Sequence, residues 1–352
     1  MSPRPSPVTV GVTGLHAGDN PGPGVAVARA LRADPAFEGS LVGLGYDAFD
    51  AGLHVPGLFD RAALLPYPSA GPEALLQRLV DIHEATPIDV LLPCLDSELA
   101  AVIELVPQLA KMGIHTALPT AAQLRQVAKL HLPELNIPGL QVPRTTAHHS
   151  AASLATRFAA HRGMLVLKGP LYDARVCAHL DEGVAAFHDL AARWGLPVLA
   201  QDHVDGEEYD VCAVGDGRGG TVGAVTMKKL QLSAAGKALA GVAVQAPVLE
   251  GLADAIFAHT HWRGPCELEL RRDRQDRVHL LEINPRFPAW CDLTTHAGCP
   301  LPTAAVALAM GRTPPQCPPA KAGVAFVRAT LDQFCDMGDL ESLTMHGHRT
   351  AP

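Results

Sequence analysis

The chain has 352 residues, 48% of them hydrophobic and 18% charged, with a net charge of -8. That length allows two or three domains, and the apolar content supports packed cores and excludes overall disorder. The acidic balance leaves no basic footprint for nucleic acid, and no apolar run of about 18 residues is present to span a membrane.

Met1 to Pro7 is short, proline-rich and polar, without the apolar core of a secretory signal, so a cytoplasmic location is expected. The eight cysteines form no C-x-x-C pair and read as small buried hydrophobes in a reducing compartment. The one tight histidine pair, His148-His149, follows a predicted strand, whose alternation makes it a poor metal chelate.

Val8 to Gly14 reads as a buried strand, His16 to Gly24 as a loop and Val25 to Arg32 as a helix. Within that loop, Asn20-Pro21-Gly22-Pro23-Gly24 offers backbone N–H groups at a helix start, where anions bind. A dinucleotide fingerprint there lacks its third glycine and a matching ribose carboxylate. Leu41 to Tyr46 is a second strand. Pro72 to Glu84 is an amphipathic helix with Leu75, Leu76, Leu79, Val80 and His83 on one side. Ile88 to Pro93 is a strand feeding a helix to about Ala110, and His115 to Leu118 a short strand. This β-α-β-α order predicts a doubly wound, Rossmann-like sheet over residues 1–118, with ligands at the carboxyl ends of its strands.

A linker helix is predicted from Thr120, its N-cap, to about Leu132, before Pro133, Pro138 and Pro143 break the pattern. Helices follow at Ala151 to Arg162 and Val184 to Trp194, with strands at Met164 to Lys168, Val198 to His203, Tyr209 to Val214 and Thr221 to Lys229. Pro247 to Thr260 is mostly helix. Cys266 to Arg272 and Arg277 to Ile283 form a hairpin, and a short helix covers Pro302 to Met310. Pro314 to Pro319 is a low-complexity connection, and the tail from Gly323 adds one strand and a frayed end.

The chemistry concentrates in Leu280-Leu281-Glu282-Ile283-Asn284-Pro285-Arg286-Phe287. A buried strand that delivers a carboxylate, an amide and a guanidinium needs partners for all three. A magnesium-bound polyphosphate supplies them; a surface salt-bridge cluster is the plainer alternative. Glu269, on the preceding strand of the hairpin, can face the same side as Glu282, and two such carboxylates call for a cation. Lys168 ends a strand, from which it reaches phosphates as a point charge or is simply solvated. Gln201-Asp202-His203-Val204 leads a strand toward Glu208, which reads either as an adenine edge with a ribose carboxylate or as an acidic turn. Lys228 and Lys229 point to opposite faces of their strand, so at most one reaches the site, and Lys228 is the one assigned to it.

In order and type these segments resemble the ATP-grasp superfamily, from about Thr120 to Met310 and including the preceding α/β domain. The strong signal is Glu282-Ile283-Asn284-Pro285-Arg286-Phe287; the other segments gain by their order. The resemblance implies an α/β and α+β chain: a pre-ATP-grasp domain over 1–118, a small subdomain with linker helix over 119–205, and a large subdomain with tail over 206–352. It implies ATP between the two subdomains, with Lys129 and Lys168 on phosphates and Gln201, Asp202 and Val204 at the adenine hinge. Glu208 then holds the ribose, Glu269, Glu282 and Asn284 hold two magnesium ions, for which manganese can substitute, and Arg286 steadies the transferring phosphoryl group. Two departures stand out. The loop Gly169 to Cys177 is poor in glycine, with Arg175 as a compensating cation, and the hinge opens on Gln201 where family members often have Glu.

The implied reaction is carboxylate activation: ATP gives an acylphosphate, which an amine opens to an amide or peptide bond. Leu91-Leu92-Pro93-Cys94-Leu95-Asp96-Ser97-Glu98 and Thr294 to Leu301 look like segments of ligases related to the carbamoyl-phosphate synthetase large chain and to pyrrolysine-pathway ligases. Asp96 and Ser97 have a plain role as helix caps, and Gly298 and Pro300 one as turn formers. Substrate contact through Asp96, and a substrate amine at Glu98, is the functional reading. Small-molecule or peptide carboxylates and amines are the expected partners, with a homodimer by analogy to the family. A biotin-type carboxylase or carbamoyl-phosphate-forming enzyme is the alternative, disfavoured because apolar Phe287-Pro288-Ala289-Trp290 follows the arginine. A non-catalytic nucleotide sensor is the other, disfavoured by the intact set of Glu269, Glu282, Asn284 and Arg286.

Overall fold

A computed structural model describes residues 7–16, 21–170, 172–233 and 236–350. Its strands fall into three sheets. The first contains parallel strands β1 (Thr9–Val12), β2 (Ser40–Gly45), β3 (Arg61–Leu64) and β4 (Val90–Leu92), in the order β3-β2-β1-β4. Both faces are covered. Val10, Val12 and Leu41 pack toward helix α1 (Pro23–Ala33), through its Val27 and Leu31. Val42, Leu44 and Leu91 pack toward α2 (Pro72–Ala85) and α3 (Asp96–Lys111). Two-sided burial explains the near-continuous apolar strands. The strand order reverses between β1 and β4, so the crevice beyond their carboxyl ends is where this topology binds ligands. On α2 the buried stripe is Leu75, Leu79 and Ile82, with Leu76 beside it.

The second sheet is antiparallel, in the order β5-β8-β6-β7: β5 (Thr145–His148), β6 (Leu165–Lys168), β7 (Ala174–Cys177) and β8 (Val198–Asp202). Its core of Leu165, Leu167, Val198 and Ala200 is closed by Leu154 of α5 (Ala151–Ala160) and by Phe187 and Leu190 of α6 (Leu180–Trp194).

The third sheet is antiparallel and six-stranded: β9 (Glu207–Asp216), β10 (Thr221–Leu232), β11 (Ala238–Val244), β12 (Arg263–Arg272), β13 (Val278–Asn284) and β14 (Ala325–Val327). It runs β13-β12-β9-β10-β11-β14. Helix α7 (Pro247–Thr260) packs with Tyr209, Val211, Ala213, Leu268 and Leu270 on one face. The other face continues through Cys212, Val225 and Met227 into α8 (Asp292–His296), α9 (Leu301–Ala309) and onward to α1. A single apolar core therefore ties the third sheet to the first. Fully buried side chains such as Leu31 and Leu301 each contribute roughly 1.5–3 kcal/mol, enough to fix that relationship.

Several expectations change. The linker helix α4 spans only Ala121–Gln126, where Thr120 does cap it, accepting from Gln123 N at 3.2 Å. The chain then turns, because Pro133 opens a short 3-10 segment at Leu132–Leu135, and Lys129 sits in the turn rather than on a helix. His115 to Leu118 makes one bridge to Val90 instead of a strand. β3, β5, β7 and β11 have no counterpart among the strands expected from the sequence. The tail leaves the third sheet after β14: α10 (Met337–His346) leads to β15 (His348–Thr350), which pairs antiparallel with β3 on the first sheet. Asn20 lies outside the described residues. In the rest of its loop, the N–H groups of Gly22 and Gly24 are spent on His16 O and Gly14 O, at 2.9 and 3.0 Å, so they are not available to an anion.

Candidate active site

Alternation along β9, β10 and β12, together with a bulge at Leu281 that shifts β13 by one residue, places polar side chains on the face opposite α7. Glu269 stands directly opposite Glu282 on one neighbour and Asp210 on the other, Glu267 opposite Asn284, and Arg271 opposite Glu208. Such a row of anions is stable only with cations among them. Lys229, buried, lies 3.3 Å from Glu208 and 3.2 Å from Asp210. Burial works against the charged form of Glu269, but Lys229, Lys237, Lys168 and the Asn284 amide outweigh it and hold its carboxyl below the usual range. Burial raises Asp210, with Glu267 and Glu269 adding to the rise and Lys229 opposing it.

The second sheet supplies two more ammonium groups. Lys168, at the end of β6, reaches Glu282 Oε2 at 3.3 Å and Leu281 O at 3.4 Å. Lys129 reaches Glu282 Oε1 at 3.1 Å. Gln201 is buried and donates to Thr145 Oγ1 and Leu281 O, at 3.1 and 3.2 Å, so it stitches the second sheet to β13. Asp202 turns its carboxylate toward α5, where Arg157 and His161 receive it. The carbonyl of Val204 accepts from Arg271 Nη1 at 2.6 Å, and the same guanidinium pairs with Glu208.

The first sheet completes the cleft. Asp96, at the first turn of α3, accepts from Arg286 Nε at 2.9 Å. Burial alone would depress the Arg286 pKa; Asp96 and Glu267 reverse this and raise it. The hydroxyl of Tyr172 accepts from Ser97 beside this pair.

Two assigned residues are corrected. Lys228 pairs with Glu207 at 2.6 Å and lies over the Tyr209 ring, on the opposite face from Glu269; Lys229 occupies the site face. Glu98 is 1% exposed, and its carboxylate accepts from Thr13, Tyr46, Cys94 N and Leu95 N, which closes it to a substrate amine. The cap of α3 comes from Glu98 reaching back to Leu95 N, not from Asp96 or Ser97. Arg175, half exposed, turns to Asp189 on α6 at 3.8 Å and leaves the loop after Lys168 uncompensated. The structure adds Asp210, Lys229, Glu267 and Arg271. Their sequence signal was parity: Glu267 and Arg271 lie two residues either side of Glu269, and Asp210 two beyond Glu208.

Residues 196–331 match the protein family described as ATP-grasp in the biosynthetic pathway with Ter operon. Similar solved structures include the MgADP- and bicarbonate-bound biotin carboxylase domain dimer of the Hydrogenobacter thermophilus 2-oxoglutarate carboxylase. It matches with a TM-score of 0.68 at 14% identity, over 90% of this chain and 73% of that one. The fold is that of the ATP-grasp superfamily. An L-amino acid ligase from Bacillus licheniformis shares the ATP-grasp fold at a TM-score of 0.63 and 14% identity, covering 88% of this chain and 75% of that one. The ADP complex of N5-carboxyaminoimidazole synthetase from Staphylococcus aureus does so at 0.62 and 12%, covering 88% and 78%. No curated protein matches the sequence. Among the described residues, no helix is long and apolar enough to cross a membrane.

Proposed function

We propose that this chain is an ATP-dependent carboxylate–amine ligase, of the subgroup related to the carbamoyl-phosphate synthetase large chain and pyrrolysine-pathway ligases. The observation that carries the reading is the opposition of Glu269 and Glu282 across β12 and β13, with Lys129, Lys168 and Lys229 converging on that row. Among the described residues, no three His, Cys, Asp or Glu side chains form a closed metal cage. A nucleotide-carried magnesium ion needs none, since it takes one or two carboxylates together with phosphate oxygens and water. The donor set fits that demand: Glu269, Glu282 and Asn284 would hold two magnesium ions.

Bound there, the ions neutralise charge on the polyphosphate. Lys129 and Lys168 bind phosphate oxygens, the segment Gln201 to Val204 lines the adenine, and Glu208 takes the ribose. Arg286 steadies the γ-phosphoryl group as its bond to ADP breaks and one to a substrate carboxylate oxygen forms. An amine then attacks the acyl carbon, phosphate leaves, and the amine nitrogen gives up a proton. The carboxylate and amine are amino acids or small peptides, the chain works in the cytoplasm, and a homodimer is the assembly. The test is ADP and phosphate release from ATP with pools of carboxylates and amines, and mass detection of the condensed product. Dependence on bicarbonate instead of an amine would mark a carboxylase, and binding without release a sensor. Glu282→Gln is expected to abolish turnover with the fold intact; turnover at the wild-type rate would remove the metal assignment.

A further inference from the structure

Glu267 is a further carboxylate on the site face, only 5% exposed. Its Oε1 accepts from Trp290 Nε1 at 2.7 Å. Its Oε2 accepts from Asn284 Nδ2 at 3.0 Å and lies 3.5 Å from Arg286 Nη1. Asn284 Nδ2 also donates to Glu269 Oε1 at 2.9 Å. Both amide hydrogens are thus spent on carboxylates. That fixes the amide, because the reverse flip would aim its oxygen at two anions. The amide oxygen, not the nitrogen, is then the atom left to a cation.

Arg286 is gripped from two sides. Asp96 takes its Nε at 2.9 Å, while its Nη1 faces Glu267 and the Phe287 carbonyl. A planar guanidinium held at two nitrogens has its plane set. The indole of Trp290 can donate but not accept, and it is buried, so it anchors Glu267 from behind.

We propose that Glu267 is a positioning residue of the ligase reaction, fixing the Asn284 amide and the Arg286 guanidinium in the orientation from which they meet the nucleotide. The proposal rests on the ATP-dependent reading above. It differs from a role in merely satisfying the Trp290 indole, which would affect folding alone.

The experiment uses the full chain and Glu267→Gln, with ADP binding by calorimetry as a function of magnesium, steady-state ADP release, and thermal unfolding. ADP alone is expected to bind within about threefold of wild type, whereas the magnesium concentration needed to tighten it rises about tenfold. kcat is expected to fall about 100-fold with a thermal midpoint close to wild type. In an Asn284→Ala background, with no amide to orient, the added substitution should no longer move the magnesium dependence. An unchanged magnesium dependence and kcat in Glu267→Gln overturns the proposal, as does a loss of kcat that only follows lost thermal stability. Glu267→Asp keeps the charge but shortens its reach, and serves if the Gln variant does not fold. It should also raise the magnesium requirement, and a wild-type requirement overturns the proposal. A wild-type chain that binds neither ADP nor MgADP defeats the nucleotide reading itself, an outcome seen before any variant is made.

Discussion

Lys229 Nζ lies 3.2 Å from Asp210 Oδ1 inside the acidic face of the third sheet, while its neighbour Lys228 pairs with Glu207 on the other face. The two lysines are adjacent in sequence but have different electrostatic work. Lys229 is buried among Glu208, Asp210, Glu267 and Glu269, and although burial disfavours its charge these carboxylates raise its pKa.

Lys229→Met is therefore expected to strand the buried Asp210 carboxylate, while Glu208 keeps Arg271. Breaking a buried pair in this way costs about 3–5 kcal/mol, read by urea unfolding at neutral pH. ADP release should fall by about 100-fold or more, since on the proposed reading the lost charge would also face the polyphosphate. Lys228→Met should keep turnover within about threefold, because an exposed pair contributes little. Equal losses in the two variants would show that the face assignment is wrong.

Arg271 ties three residues together, pairing with Glu208 and donating to Val204 O and toward His203. It lies toward the turn end of the β12–β13 hairpin, away from Arg286, so on the proposed placement of ATP it would shape where the nucleoside rests rather than where phosphoryl moves. Arg271→Met is expected to raise the KM for ATP about tenfold, the worth of one charge-assisted hydrogen bond, with kcat nearly unchanged. Steady-state kinetics across ATP concentration decides it. A fall in kcat at constant KM would place Arg271 in the transfer step.

Much of the site was legible because Glu282, Asn284 and Arg286 are polar groups placed at regular parity where an apolar strand ends, a pattern that needs a ligand or a set of partners. The short turn pairs Arg272 with Val278, but it is a bulge at Leu281 that brings Glu282 opposite Glu269, and turn length alone does not announce it. The choice between Lys228 and Lys229 was not legible, because both faces of β10 are covered: Val225 and Met227 pack on one side and Thr226 meets Glu250 under α7 on the other. Two-sided burial erases the alternation that would have separated them. β7 was missed because it is a four-residue edge strand with three exposed residues, and β11 because its alanines and glycine carry little strand preference. The pairing of β15 with β3 joins residues almost a whole chain apart, and no local pattern announces such a contact.

Glu98 lies at the switch point of the first sheet, where the ends of β1, β2 and β4 bring Thr13, Tyr46 and Cys94 around its carboxylate. Burial raises its pKa above the ordinary 4.5, only partly opposed by the hydrogen bonds from Thr13, Tyr46, Leu95 and Cys94. A carboxyl raised in the folded state contributes stability that is full below its unfolded pKa and is lost as pH rises through the folded value. Glu98→Gln removes that dependence. The stability of wild type relative to Glu98→Gln is therefore expected to decline between pH 4 and pH 7.5, measured by urea unfolding at each pH. A constant difference, or one that grows in favour of wild type, would mean that the hydrogen bonds to the ionised form dominate over burial.

The tail closes the first sheet by the β15–β3 ladder, to which Arg349 adds two side-chain contacts. Arg349 pairs with Asp339 of α10 and donates to Leu53 O at 2.5 Å, while Arg78 and Leu64 N both hold Gly347 O, at 2.6 and 2.8 Å. Without these, β3 becomes an open edge facing solvent. Arg349→Ala is expected to destabilise the chain by about 1.5–3 kcal/mol, the range for hydrogen bonds to a charged group, seen as a lowered thermal midpoint. MgADP affinity and kcat should stay at wild-type values at temperatures where the variant is folded, since Arg349 is tied to the far edge of the first sheet and not to the crevice beyond β1 and β4. A variant of normal stability with weakened MgADP binding would instead link the tail to the site, and would require β15 to act on the nucleotide through β3 and β2.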